Sequence, residues 1–349
     1  MVFILGAGFS KGYNSKNMPL INEFLKIAED KSILKPAEKH QELIGFIETY
    51  FGDYHNVNIE KLASILTIEL VPDYSHKREY RERLYRQLID IIIGVLYTSY
   101  RCPENEQIKD IYQKFGDKLV ENNINIITFN YDLILDNILK NTCKWSIANG
   151  YGFNMKGWDL KYIDPTTFIM PLINPQSTTA YLKLHGSLNW GKCIVPDPYE
   201  GKEIVVNAPS CFPDAIEEIL PIEGTCVGYG SRLTNLHFNT FIVPPILSKD
   251  DFYKSNVLRY LWYEAKEILK ESKDIFIIGY SFPATDYLAE FLFRQSVAKS
   301  FCSPKKVFLI NKKIDDDYKR KVEDIFLNCE FVYHECDVVE FLRTFIGKS

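Results

Sequence analysis

Short, almost unbroken apolar runs recur along the chain: Val2–Leu5, Ile124–Thr128, Phe241–Val243, Asp274–Ile278, Lys306–Ile310 and Phe331–Tyr333. Parallel strands with helices on both faces carry this pattern, because side chains on either face meet an apolar layer. Other stretches space their apolar residues for a helix: Leu20–Asp30, Glu38–Tyr50, Ile59–Leu70, Lys77–Tyr97 and Val338–Phe345. Within Lys77–Tyr97, Leu84, Leu88, Ile91, Ile92 and Leu96 fall on one stripe. The alternation predicts an α/β fold around a parallel sheet.

Roughly 110 residues separate the first two strands, far more than a crossover needs. Residues 31–120 are therefore expected to form a helical insertion packed on the sheet. Residues 141–240, rich in Pro, Gly, Asn and aromatics, read as a second, loop-rich insertion with short strands. The whole of 1–349 then forms one domain. Its 46% hydrophobic content is ample for a core, and a net charge of −5 gives no reason to expect nucleic acid. No apolar run of 18 residues suggests a membrane span. The first strand has no basic segment before it, so a cytoplasmic location is expected. The eight cysteines contain no C-x-x-C pair. Cys193, Cys211 and Cys226 share a loop-rich region but lack ligand spacing, so no metal is expected.

Chemistry-bearing residues gather where strands end. The first strand runs into Gly6-Ala7-Gly8-Phe9-Ser10, a turn that brings backbone close to a diphosphate at a helix N-terminus. Ser10 is placed to cap that helix or to donate to a phosphate. Lys11 holds the third position of G-x-G-x-x-G and Gly12 comes one place late, which weakens a dehydrogenase reading. Thr128-Phe129-Asn130-Tyr131-Asp132 follows the second strand. In extended backbone Asn130 and Asp132 project to one side, although either residue also suits a helix cap. His185 stands in Leu184-His185-Gly186-Ser187, and histidine is the side chain best matched to proton transfer near neutral pH. Gly279-Tyr280-Ser281-Phe282-Pro283-Ala284-Thr285-Asp286 is a second glycine turn opening a helix. Asn311 ends a further strand, and Asp337 precedes the last helix.

In this order the motifs resemble the Sir2 family across nearly the whole chain. The wording Phe-Asn-Tyr-Asp at 129–132, Gly-Tyr-Ser-Phe-Pro-Ala-Thr-Asp at 279–286 and Asn58-Ile59-Glu60 is similar to bacterial SIR2-like NADases of antiphage defence. The resemblance implies a Rossmann-like, doubly wound Sir2 fold with NAD as substrate. His185 would be a general base on a ribose hydroxyl, or orient it. Asn130 would position the ribose and the attacking water, and Asp132 the nicotinamide carboxamide. Gly6, Ala7, Gly8, Phe9 and Ser10, with Thr128, Gly186 and Ser187, would line the diphosphate and ribose. Gly279, Tyr280, Ser281, Asn311 and the backbone at Asp337 would line the adenosine half. The paired cysteines of a sirtuin zinc ribbon are absent, and so is its G-I-P-x-F-R segment, of which Met18-Pro19-Leu20 is an echo. Cleavage of NAD to nicotinamide and ADP-ribose is thus expected. An NAD-dependent deacylase and a non-catalytic NAD or ADP-ribose sensor are the alternatives. Control is expected from homo-oligomerisation or a partner such as a HerA-type ATPase or short Argonaute, with no nucleic acid or membrane bound directly. The charged run His76–Arg86 is either an assembly surface or a solvated helix face.

Overall fold

The apolar runs form the centre of the molecule. In the computed structural model, β1 (Val2–Leu5), β2 (Asn125–Thr128), β3 (Tyr181–Lys183), β7 (Asp274–Ile278), β8 (Lys306–Asn311) and β9 (Glu330–Glu335) make one sheet, ordered β3-β2-β1-β7-β8-β9. All of its pairings are parallel. The structure describes residues 1–67, 75–101, 103–142, 144–147, 150–152, 179–195, 202–207, 239–246, 255–298 and 305–347. Val2, Phe3, Ile4, Ile126, Ile127, Ile275, Ile277 and Ile278 are fully buried, as strands covered on both faces require. The sheet winds outwards in both directions from the β1–β7 pair. This is the doubly wound arrangement, and its ligand crevice lies where the direction reverses.

Helices α1 (Ala7–Tyr13), α6 (Glu106–Glu121), α7 (Ile134–Lys140), α8 (Asn256–Glu271), α9 (Tyr287–Ala298) and α10 (Asp316–Ile325) lie between the strands, and α11 (Val338–Gly347) follows β9. On one face Phe3 stacks on Phe276 at 4.8 Å and meets Phe115 of α6 and Phe345 of α11 edge-on. Helix α6 lies inside the 31–120 span but packs on the sheet beside α7 and α11, as the crossover into β2. The described remainder of that span, with α2 (Phe24–Asp30) just before it, is mostly helical. It holds α3 (Gln41–Tyr50), α4 (Ile59–Thr67) and α5 (Ser75–Ser99). Leu84, Leu88, Ile91, Ile92 and Leu96 of α5 are all buried, and α5 packs on α2, α3 and α4.

One strand changes place. Phe241–Val243, expected in the parallel sheet, overlaps β6 (Asn239–Ile242) of a second, antiparallel sheet with β4 (Gly186–Val195) and β5 (Lys202–Asn207), ordered β5-β4-β6. Three apolar residues in a row do not reveal their pairing partner. The run is buried, with the Phe241 ring 6.4 Å from that of Trp190 of β4. No helix among the described residues is long and apolar enough to cross a membrane.

Candidate functional site

The two glycine turns meet at the β1–β7 reversal. Gly6 N donates to Ile278 O at 3.0 Å, and Gly8 N donates to Gly279 O at 2.8 Å. A Cβ on Gly8 would stand 2.6 Å from Gly279 Cα, and one on Gly279 would stand 2.5 Å from Gly8 Cα. Gly279 also has a φ of +60°. The glycines thus let two backbone turns interlock, and their smallness serves each other before any ligand. Gly12 takes over the packing role of the missing third fingerprint glycine, since a Cβ there would meet the Tyr112 hydroxyl at 2.7 Å and Val338 at 3.0 Å.

Ser10 does not cap α1; Gly6 is the N-cap. The Ser10 hydroxyl lies buried in the first turns and donates to Asp132 Oδ2 at 2.6 Å. It accepts from Asn130 Nδ2 at 3.0 Å, and the same amide donates to Gly6 O at 2.9 Å. Strand β2 ends at Thr128, so strand alternation does not bring Asn130 and Asp132 together. They converge because both bond Ser10. Thr128 fixes the start of the segment, donating to Leu5 O at 2.9 Å and accepting from Asn130 N at 3.1 Å. Asp132 Oδ1 accepts from Ile134 N at 3.1 Å, which steadies the start of α7. Burial pushes the Asp132 carboxyl above its usual range, against the opposing pull of the Lys183 ammonium and the Ser10 hydroxyl.

His185 lies two residues past Lys183, which pairs with Thr128; Asn130 lies two past Thr128. The sheet register therefore delivers both to the same end. The imidazole is buried, with Phe129 edge-on at 5.1 Å, Tyr131 near-parallel at 6.3 Å and Trp262 of α8 at 6.5 Å. Trp262 Nε1 donates to Leu184 O at 3.1 Å, and the Tyr131 hydroxyl donates to Val243 O at 2.6 Å. His185 Nε2 is 3.6 Å from Asp286 Oδ1, and Asp286 Oδ2 accepts from the Tyr280 hydroxyl at 3.0 Å. The sequence marks Asp286 only as a helix opener, and a 3-10 turn, Ala284–Asp286, carries it to the histidine. Phe129 stacks on Tyr280 at 4.8 Å, tying the β2 segment to the second glycine turn.

Beneath these groups lies a lysine that the apolar pattern conceals. Lys183 is fully buried; its Nζ donates to Asp132 O at 2.6 Å and pairs with Asp136 Oδ2 at 3.0 Å. Asp136 Oδ1 accepts from the Tyr151 hydroxyl, which accepts from Asn189 Nδ2 at 3.1 Å. Ser187 donates to Asn189 Oδ1 at 2.6 Å. The hydroxyl read as a ligand contact thus belongs to a buried network that holds residues 131–132 from below.

The remaining sequence-selected residues spread along the sheet's carboxyl edge. Ala7 and Ser281 are exposed, whereas the Phe9 ring is buried against Tyr112 at 4.9 Å, leaving only its backbone for a ligand. Tyr280 is buried too, and Gly186 pairs with Ile242 in the second sheet. Asn311 is half-buried at the end of β8, its Oδ1 accepting from Lys312 N at 2.9 Å. Asp337 is exposed and accepts from Glu340 N at 2.9 Å, capping α11. Asn311 O accepts from Cys336 N at 3.1 Å, which joins these two strand ends. Of the cysteines considered for a metal, Cys211, Cys226 and the side chain of Cys193 lie outside the described residues.

No protein-family model matches the chain, and no curated protein matches it. A crystal structure of SIR2 in complex with the inhibitor EX-527, 2'-O-acetyl-ADP-ribose and a deacetylated p53 peptide is similar to it, at 14% identity and a TM-score of 0.38. The similarity covers 99% of this chain and 92% of that one.

Proposed function

We propose that the chain binds NAD at the β1–β7 crevice and hydrolyses it to nicotinamide and ADP-ribose. The observation that carries this is the Asn130–Ser10 pair beside two interlocked glycine turns, with His185 delivered by the sheet register to the same end, where dinucleotides bind in doubly wound sheets. The bond between the ribose C1′ and the pyridinium nitrogen breaks, and its electron pair stays with nicotinamide, which leaves neutral. Water bonds to C1′ and loses a proton. An oxocarbenium-like state of this kind needs positioning and proton management more than a covalent nucleophile. Asn130, half-buried and held by Gly6 O and Ser10, orients the ribose and the water. His185 takes or steers the ribose hydroxyl proton.

Asp132 calls for a narrower assignment. Its two oxygens are engaged by Ser10 and by Ile134 N. Each oxygen keeps a further lone pair for a carboxamide, and before substrate binds Asp132 holds Ser10 and, through it, Asn130. The exposed rim at Ala7 and Ser281, with Asn311, is the approach for the diphosphate and adenosine. The biological role we attach to this activity is NAD depletion in antiphage defence. Self-association or a separate partner, an ATPase or an Argonaute, would restrain it. The support is the wording of residues 129–132 and 279–286.

The test is release of nicotinamide from NAD by the purified chain, alone and with candidate partners. Asn130→Ala and His185→Ala should each lower it at least 100-fold, the lower range for a positioned acid–base group. Variants that match wild type would refute the assignment. Tight NAD binding without turnover in every state would return the chain to the sensor alternative.

A further inference from the structure

Asp286 is buried beside the histidine, and the chemistry above makes no use of it. We propose that Asp286 is the positioning residue of His185, holding its Nε2–H so that the other ring nitrogen carries the lone pair that accepts the ribose proton. This rests on the reading of His185 as the base. The two side chains are 7% and 5% exposed and 3.6 Å apart. That separation exceeds a hydrogen bond, yet such contacts commonly tighten when substrate closes the site.

The carboxylate is braced from several directions. Tyr280 donates to its far oxygen, Asp286 N bonds Pro283 O at 2.9 Å, and neighbouring Thr285 donates to Glu60 Oε2 of α4 at 2.7 Å. The helical insertion thus clamps the turn that presents Asp286. The groups facing the imidazole are identifiable element by element. The segment after β2 brings Phe129 and Tyr131, whose hydroxyl is turned to Val243 O. Helix α8 brings the indole of Trp262. The turn after β7 brings Asp286, with Tyr280 behind it. Asp132 is engaged elsewhere by Ser10 and Ile134 N. Among the described residues, the carboxylate that faces the ring is therefore Asp286. A fixed carboxylate sets which ring nitrogen holds the proton and supports the imidazolium once formed.

The experiment is an NMR titration of the His185 ring in the full chain, assigned by His185→Gln, run beside the pH profile of nicotinamide release. In Asp286→Asn the His185 midpoint should fall by about one pH unit, because an opposite charge at this range favours the charged ring. The acid limb of kcat should move down with it, and the maximal rate should drop about 100-fold or more. Asp286→Glu should recover part of both. Tyr280→Phe should move the midpoint the other way, since it removes the donor that draws charge from Asp286. This gives a second readout if Asp286→Asn does not fold. An unchanged midpoint in these variants, or a shifted midpoint with an unchanged rate profile, overturns the proposal. If wild type releases no nicotinamide, hydrolysis is refuted, while the titration still decides whether Asp286 governs the ring.

Discussion

Replacing Lys183 with methionine keeps the length and apolar volume of the stem and deletes the ammonium. What remains is the Asp136 carboxylate, fully buried with its cation gone, and a Tyr151 hydroxyl still pointed at it. Removing one member of a buried ion pair costs about 3–5 kcal/mol, because the survivor stays desolvated. Asp132 O also loses a charged donor at 2.6 Å, adding about 1 kcal/mol. The sum is a large share of a total stability of about 5–15 kcal/mol. With a urea dependence of about 3 kcal/mol per molar, the unfolding midpoint should drop by more than about 1 M. Intrinsic tryptophan fluorescence is a suitable probe, with Trp190 buried and Trp262 packed near the site. Adding Asp136→Asn should restore part of the loss, a coupling of about 1–3 kcal/mol, since an amide accepts from Tyr151 without needing a cation. A single variant that loses less than about 1 kcal/mol, or a double variant no better than the single, would show that Lys183 and Asp136 do not depend on one another.

Asp132→Asn should separate stability from activity. The folded carboxyl titrates above its unfolded value, so between those two pH values the folded state holds a proton that the unfolded chain has released, and stability falls as pH rises through that window. An asparagine carries no such charge; its urea midpoint at pH 8 should equal or exceed wild type while nicotinamide release falls, and a clear loss of stability at pH 8 would contradict the burial argument. Gly8→Ala and Gly279→Ala should each cost about 1–3 kcal/mol by overpacking backbone on backbone, Gly279→Ala the more because of its positive φ. Isothermal titration with NAD should show weakened binding for both. Gly45→Ala, in α3 with nothing within 4 Å of the new methyl, should instead be neutral or stabilise by up to about 1 kcal/mol in the same unfolding assay.

The central strands are legible because each is apolar on both faces and bounded by glycine or polar residues. β1 and β7 fall on the expected residues, and β2, β8 and β9 differ by one to three residues at their ends. β3 is read only as a strand end before His185, because Lys183 breaks its apolar run, and the partner that makes a lysine tolerable there, Asp136, lies 47 residues away. The amphipathic α5 is plain from its stripe, whereas α6 within the same span looks no different and yet packs on the sheet. The polar residues picked at strand ends lie along the carboxyl edge of the sheet. What the sequence does not reveal is how they are already engaged. Ser10 reads as a ligand contact and is bonded to Asp132; Ser187 reads the same way and is bonded to Asn189. The Ser10 pairing spans 122 positions, and no local pattern encodes it.

The interlocked glycine turns also set the order in which the protein becomes whole during synthesis. Strand β1 is made first, yet one of its two neighbours in the sheet is β7, with Val2 paired to Ile275. A ribosome must deliver the chain past residue 280 before Gly8 can bond Gly279 and before Asp286 exists to face His185. Contacts of such long sequence separation form late and close slowly. A nascent chain that has folded everything through β6 still presents an open crevice with half its walls. Under the proposed NAD hydrolysis, this topology leaves every copy that stops before β7 without a complete site.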